Sequence, residues 1–253
     1  QLEELQKKLW EKKKFIIETN YCITLDKIDE DYYEEIFACE EQKTEWKELF
    51  DVDIQSVNDL REEKYLVLDT KFFDMKFKYK LLSEFDNLDV DINGLLINSE
   101  NFGALNLLQD RYKGQIDLGY IDPPFNTGSD EAFDYKDNYQ NSSWFSLMED
   151  RIILGKNLLS DIGSFYLHLD ENANYFGRLL MDSLFTDNFL NEFIWCYRGM
   201  AIAKNNFTRR HDTVLIYKNQ ENNIFNWEEI AEPLSDTTVQ KYKHTDENGR
   251  KYR

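Results

Sequence analysis

The chain has 253 residues, 42% of them hydrophobic, and a formal net charge of −19. That apolar content can bury a sizeable core in one large domain or two small ones, and no apolar run approaches the length of a membrane span. The acidic balance has the wrong sign for a protein that grips nucleic acid through nonspecific attraction to phosphate; the opening segment QLEELQKKLWEKKK lacks the apolar core of a signal peptide, so a cytoplasmic protein with no membrane partner is expected.

Residues 1–92 read as an accessory, largely helical region. Leu2, Leu5 and Leu9 recur at helical spacing within a charged segment, and a further helix is expected around Asp31 to Phe50. KFFDMKFKYKLL, residues 71–82, alternates basic and apolar residues and reads as a strand or a basic patch, with a partly exposed structural element preferred. Cys22, Cys39 and Cys196 are widely separated, with no CxxC pair and no metal-ligand spacing, which suits reduced structural cysteines and no metal site.

From Asn93 the pattern becomes α/β. GLLIN is read as a short strand, SENFGALNLLQDRY as a helix opened by a Ser or Asn cap, and QIDLGYID as the next strand. Trp144 to Leu159 forms a long amphipathic helix, SFYLHLD a strand, ANYFGRLLMDSLF a helix, and NEFIWCYR and DTVLIYK two closing strands. Strands alternating with helices at this spacing predict a largely parallel sheet, with an antiparallel edge strand at its end. After Asn219 the pattern weakens.

Charge divides unevenly. Residues 1–190 carry 40 Asp and Glu against 20 Lys and Arg, whereas residues 191–253 carry 9 against 10. If DNA is a partner, its phosphates are expected to meet the C-terminal portion, or a segment or subunit outside these 253 residues. There, Arg198, Lys204, Arg209, Arg210 and His211 surround a loop holding Gly199 and Phe207, a mixture suited to phosphate contact and base stacking.

The strand IDLGYI runs into Asp122-Pro123-Pro124-Phe125. Two successive prolines remove two backbone N–H donors and stiffen the turn, so the surrounding carbonyls become fixed acceptors. A planar ligand with an exocyclic amino group fits this set: its ring stacks on Phe125 while Asp122 and the Pro123 carbonyl accept its two N–H bonds. The amino nitrogen of adenine or cytosine is a poor nucleophile because its lone pair is delocalised, and two directed acceptors draw it toward tetrahedral geometry without a strong general base. His168, in FYLHLDEN, is therefore read as holding its strand end, with Asp170 as a contact. Asn126, Thr127 and Gly128 border the ligand or merely connect strand to helix. Glu100, at the start of its helix, is a carboxylate that favours the helix N-terminus electrostatically, which leaves a further role open.

The stretch from LLINSENFGALNLLQDRY through IDPPFNTG, with FSLMEDRIILGKNLLSDIGSFYLHLDENANYFGRLLMDSLF and HDTVLIYKN downstream, resembles the N6-adenine DNA methyltransferases of the β order, most of all the modification subunits of type III restriction systems. The resemblance implies a partial Rossmann-like methyltransferase sheet and S-adenosylmethionine as methyl donor. It also implies a catalytic half over residues 93–218 and the start of a target-recognition region over residues 219–253, where KYKHTDENGRKYR resembles its entry. Asp122, Pro123, Pro124 and Phe125 are then catalytic, Glu100, Asn126, Thr127 and Asp170 cofactor-binding, and Arg198, Lys204, Arg209 and Arg210 DNA-binding. Relatives commonly place Gly-Asp where this chain has Ser99-Glu100, which keeps the charge but lengthens the arm. Partners implied are DNA, a second modification subunit and a restriction subunit with endonuclease and helicase functions. The family's FxGxG cofactor loop has no counterpart here, so this chain alone is expected to be incomplete and inactive. Asp in the first motif position favours adenine, although cytosine-N4 or an RNA base offers the same amino group; a noncatalytic DNA-binding or assembly subunit is the reading from another class.

Overall fold

Apolar residues gather around two separate cores, one within residues 1–98 and one within residues 99–253. The computed structural model describes residues 16–128, 135–198, 207–208, 210–233 and 235–252. The helix expected over Leu2, Leu5 and Leu9 lies outside the described residues.

In the first unit, β1 (Cys22–Thr24) pairs antiparallel with β2 (Val67–Asp69). The helix expected over Asp31 to Phe50 is divided into a 3-10 turn (Glu30–Tyr32), α1 (Tyr33–Phe37) and α2 (Glu40–Phe50). Cys39 turns extended between the helices, at φ −85° and ψ 102°. Trp46 of α2 is fully buried, and its indole Nε1 donates to the Val67 carbonyl at 2.6 Å, tying helix to strand. A capping box of Ser56 and Asp59 starts α3 (Val57–Glu62), which sends Leu60 into the same core.

Residues 71–82 are helical, neither strand nor simple basic patch. After a 3-10 turn, α4 (Met75–Leu82) is capped by Asp74, whose carboxylate accepts from the Phe77 amide at 2.8 Å. Phe77 and Leu81, four residues apart, then enter the core. Capping and the i, i+4 apolar pair outweigh the local alternation. After α5 (Leu88–Asp91), the expected strand GLLIN is irregular, with Leu95 58% and Leu96 96% exposed. It has no ladder partner among the described residues, and an unpaired strand has nothing to satisfy its backbone groups.

The second unit begins with α6 (Asn101–Tyr112), followed by β3 (Ile116–Ile121), α7 (Asn141–Leu158), β4 (Leu159–Leu169), α8 (Asn174–Leu184), β5 (Phe189–Cys196) and β6 (His211–Lys218). Glu100, not Ser or Asn, caps α6: its carboxylate accepts from the Gly103 amide at 3.2 Å. The sheet is mixed, in the order β3-β4-β6-β5, so the α/β fold class holds. β3 and β4 are parallel, and β6 runs antiparallel to both β4 and β5. The reversed strand is therefore one in from the edge, not at the edge. Its composition explains the order: Val214-Leu215-Ile216-Tyr217 is apolar toward both faces and takes the covered position, while β5, interrupted by Asn191 and Glu192, is exposed along its length.

Trp144, Met148 and Ile152 recur every fourth residue along α7 and join Phe165, Leu167 and Leu169 of β4 in one core with Leu180 and Met181 of α8. α8 approaches β4 closely at Gly177, where an added Cβ would lie 2.2 Å from Leu169 Cδ1. Two short helices, α9 (Trp227–Ile230) and α10 (Asp236–Val239), and a small antiparallel pair, β7 (His244–Thr245) with β8 (Lys251–Tyr252), follow the sheet. No helix among the described residues is long and apolar enough to cross a membrane.

Candidate active site

Four strand ends meet at one edge of the second unit's sheet. β3 and β4 deliver Asp122 and Asp170 just beyond their carboxyl ends, and the reversed β6 begins there with Asp212 opposite Trp195 of β5. In open α/β sheets this is the edge at which ligands bind.

Asp122 is the most available of these acids. Its side chain is 61% exposed, and His168 Nδ1 lies 3.7 Å from its Oδ1, beyond hydrogen-bond length. The Pro124 carbonyl is occupied by the indole N–H of Trp144 at 2.8 Å. Among the described residues no donor reaches the Pro123 carbonyl. The Phe125 ring lies 5.4 Å from the His168 ring at 59°. A carboxylate and a carbonyl that no donor among the described residues occupies, and an aromatic ring, thus sit in sequence at the strand end.

His168 is wired on both nitrogens. Tyr120 Oη lies 3.1 Å from Nδ1 and Asp212 Oδ2 lies 3.3 Å from Nε2. Burial, then the Asp122 charge, pushes the Tyr120 hydroxyl pKa up; burial, then Asp212, does the same to Tyr197, whose hydroxyl donates to Asp212 Oδ1 at 3.4 Å. Both phenols therefore stay protonated as donors at neutral pH.

The loop after the tetrapeptide is held by Asp137. This residue is 1% exposed; its Oδ1 accepts from the Asn126 amide at 2.8 Å, and its Oδ2 from the Thr127 amide at 3.1 Å and from the Thr127 hydroxyl. Asn126 takes a positive φ of 59°, and its side-chain oxygen accepts from the Tyr139 amide at 2.6 Å. Asn is among the non-glycine residues that tolerate the left-handed region, and here its side chain ties the turn to Tyr139 thirteen residues on.

The four residues expected to hold a methyl donor prove to be engaged within the protein. Glu100 uses one oxygen in the α6 cap and the other in an ion pair with Arg151 at 2.7 Å. Asn126 and Thr127 use their polar atoms to fold their own loop. Asp170 accepts from the Asn172 amide and side chain at 2.8 and 2.6 Å, and burial pushes its carboxyl pKa up. Together they build a helix start and two loops, and each carboxylate oxygen of Glu100 and Asp170, with one donor in the protein, keeps a second lone pair with which to accept from a ligand. Of the expected DNA contacts, Arg198 and Arg210 flank the β5–β6 connection at this same edge, where the Tyr197 amide donates to the Arg210 carbonyl at 3.1 Å. Lys204 and Arg209 lie outside the described residues.

The tetrapeptide, its strand and the edge around it fall inside a match between residues 116–253, more than half the chain, and the family model described as DNA methylase (N6/N4). The chain belongs to the N6/N4 DNA methylase family. It is 41% identical over 98 residues to the probable type III restriction-modification enzyme HindVI Mod subunit of Haemophilus influenzae, covering 38% of this chain and 13% of that one. It is 27% identical over 186 residues to the type III restriction-modification enzyme StyLTI Mod subunit of Salmonella typhimurium, covering 61% and 28%. The chain thus spans less than a third of either relative. Among solved structures, a DNA modification methylase of Thermus thermophilus overlaps 56% of this chain and 61% of its own at 14% identity, with a TM-score of 0.37.

Two features of the candidate site escape sequence reasoning. Asp137 sits in a polar run, DYKDNYQN, that reads as an ordinary loop, and nothing local marks it as a buried anchor. The Tyr120–His168–Asp212 chain joins three strands, and only the pairing of β4 with β3 and β6 brings its members together.

Proposed function

We propose that this chain carries the base-accepting part of an S-adenosylmethionine-dependent DNA methyltransferase that modifies the exocyclic amino group of adenine, as in the modification subunit of a type III restriction system. The observation that carries the reading is the exposed Asp122 carboxylate beside the Phe125 ring and a Pro123 carbonyl that no donor among the described residues reaches. The target base rotates out of the duplex and stacks on Phe125. Asp122 and the Pro123 carbonyl each accept one amino N–H, directing the nitrogen lone pair outward. Trp144 supports the arrangement by holding the Pro124 carbonyl, which stiffens the turn without competing for the amino group.

Arg198 and Arg210 are assigned to the DNA backbone because they flank the β5–β6 connection at the same sheet edge, and Lys204 and Arg209 because they lie between them in the sequence. Residues 219–253 are assigned to the start of target recognition. The Mod subunits it resembles suggest DNA, a second modification subunit and a restriction subunit as partners, in the cytoplasm.

Asp122→Ala in the full-length protein should abolish methyl transfer to unmethylated plasmid DNA while DNA affinity stays within a few-fold of wild type. Near-normal methylation by the variant would sink the mechanism. Digesting the wild-type product to nucleosides should yield N6-methyladenine; N4-methylcytosine would reassign the base and leave the acceptor geometry in place.

A further inference from the structure

Asp122 has a problem that the base-accepting role creates: it must be held still without giving up its acceptor lone pairs. A hydrogen bond from a neighbouring donor would fix it and also occupy it. Three contacts at the sheet edge resolve this. Asp212, on β6, faces His168 Nε2 at 3.3 Å; a carboxylate oxygen accepts, which favours the tautomer with its ring proton on Nε2. In that tautomer Nδ1 is an acceptor, and the Tyr120 hydroxyl, 3.1 Å away, donates to it. Tyr120 is consequently not a donor to Asp122, and the lone pair on Nδ1 leaves the Asp122 oxygen 3.7 Å away, close but unbonded. The opposite tautomer would point an N–H at Asp122 and compete with the base.

The same ring backs Phe125, with centroids 5.4 Å apart and planes at 59°. Its side chain is 19% exposed, held from two strands besides its own.

We propose that His168 is the positioning residue of the base-accepting set: in the tautomer favoured by Asp212, it fixes Phe125 and the approach to Asp122 while leaving the Asp122 carboxylate free for the amino group. Tyr120 and Asp212 act through it. The assignment rests on the proposed base-accepting reading of the tetrapeptide and adds to it a residue that touches neither the base nor the methyl donor.

The test uses the full-length protein, unmethylated plasmid DNA and labelled S-adenosylmethionine. His168→Ala should lower kcat by about tenfold to a hundredfold, the scale of a misplaced reacting group, with KM for DNA changed less than about threefold. Asp212→Asn keeps the shape of the contact but frees the tautomer; it should lower kcat in the same direction with an unchanged melting temperature, which loss of a merely structural contact would not do. His168→Gln, which can restore a bond to Asp212, should recover part of the rate. A kcat within twofold of wild type in a folded His168→Ala protein would overturn the proposal. If that variant does not fold, unchanged kcat in Asp212→Asn would overturn it instead. Asp122→Ala is run alongside: full activity there refutes the base-accepting reading itself, whereas an inactive Asp122→Ala beside normal His168 and Asp212 variants refutes only the role of His168.

Discussion

Asp137 shows how one buried carboxylate sets the geometry of a loop that bears on the site. It satisfies two successive amides, those of Asn126 and Thr127, and its own carbonyl accepts from the Gly128 amide at 3.0 Å. Asp137→Ala leaves both side-chain-bonded amides without their acceptor, the Asn126 amide half-buried and Thr127 exposed. With water able to reach the exposed one, a total destabilisation of about 1–3 kcal/mol is expected, visible as a lowered denaturation midpoint in urea. A midpoint equal to wild type would mean that water replaces the carboxylate easily. In the first unit, Tyr32 offers a pH test. Burial and its hydrogen bond to Glu84 at 3.0 Å push its pKa up to about 12. The folded value lies above the unfolded one, so the stabilisation is fully present below pH 10 and is lost as pH rises toward 12. Tyr32→Phe should flatten the decline of stability across that window; an identical decline would assign it to other groups. The chemistry of Asp122 is legible in sequence because its partners Pro123, Pro124 and Phe125 are its chain neighbours. That of Asp137 is not, since the amides it holds lie ten and eleven residues away.

The elements themselves record which local signals win. α7 and α8 are plain in the sequence because their apolar residues repeat at helical spacing, and β4 because Phe165, Leu167 and Leu169 alternate. Residues 71–82 misread because the basic and apolar alternation hides a cap at Asp74. GLLIN misreads because an apolar run is only a candidate strand until another strand pairs with it. The close packing of α8 on β4 depends on Gly177, which the sequence shows only as a glycine inside a helix. Gly177→Ala gains up to about 1 kcal/mol in helix propensity, but its methyl would fall 2.2 Å from Leu169 Cδ1 and 3.2 Å from Leu167 Cδ2. Overpacking of this kind costs about 1–3 kcal/mol, so net destabilisation is expected in equilibrium unfolding. A stabilised variant would show that Leu169 has a free alternative rotamer.

At the scale of the molecule, two hydrophobic clusters organise the chain, one around Trp46 and Leu68 and the other around Trp144 and Leu167. Leu68 and Leu167 are both fully buried. Leu68→Ala and Leu167→Ala should each lower amide protection in their own cluster by about 2–5 kcal/mol, measured by native-state hydrogen exchange. Unchanged protection around β2 or β4 respectively would remove that leucine from the core. The sequence by itself determined the α/β class, the helices that carry the second core and the acceptor chemistry of Asp122-Pro123-Pro124-Phe125, because periodicity and a contiguous motif are local properties of a chain. Only the tertiary structure decided that the reversed strand lies one in from the edge, that Glu100, Asn126 and Thr127 serve the protein's own turns, and that His168 stands between Tyr120 and Asp212. Those outcomes depend on which strands pair and what each polar atom meets, and residues 44 to 48 positions apart in the chain become partners only when the sheet has formed.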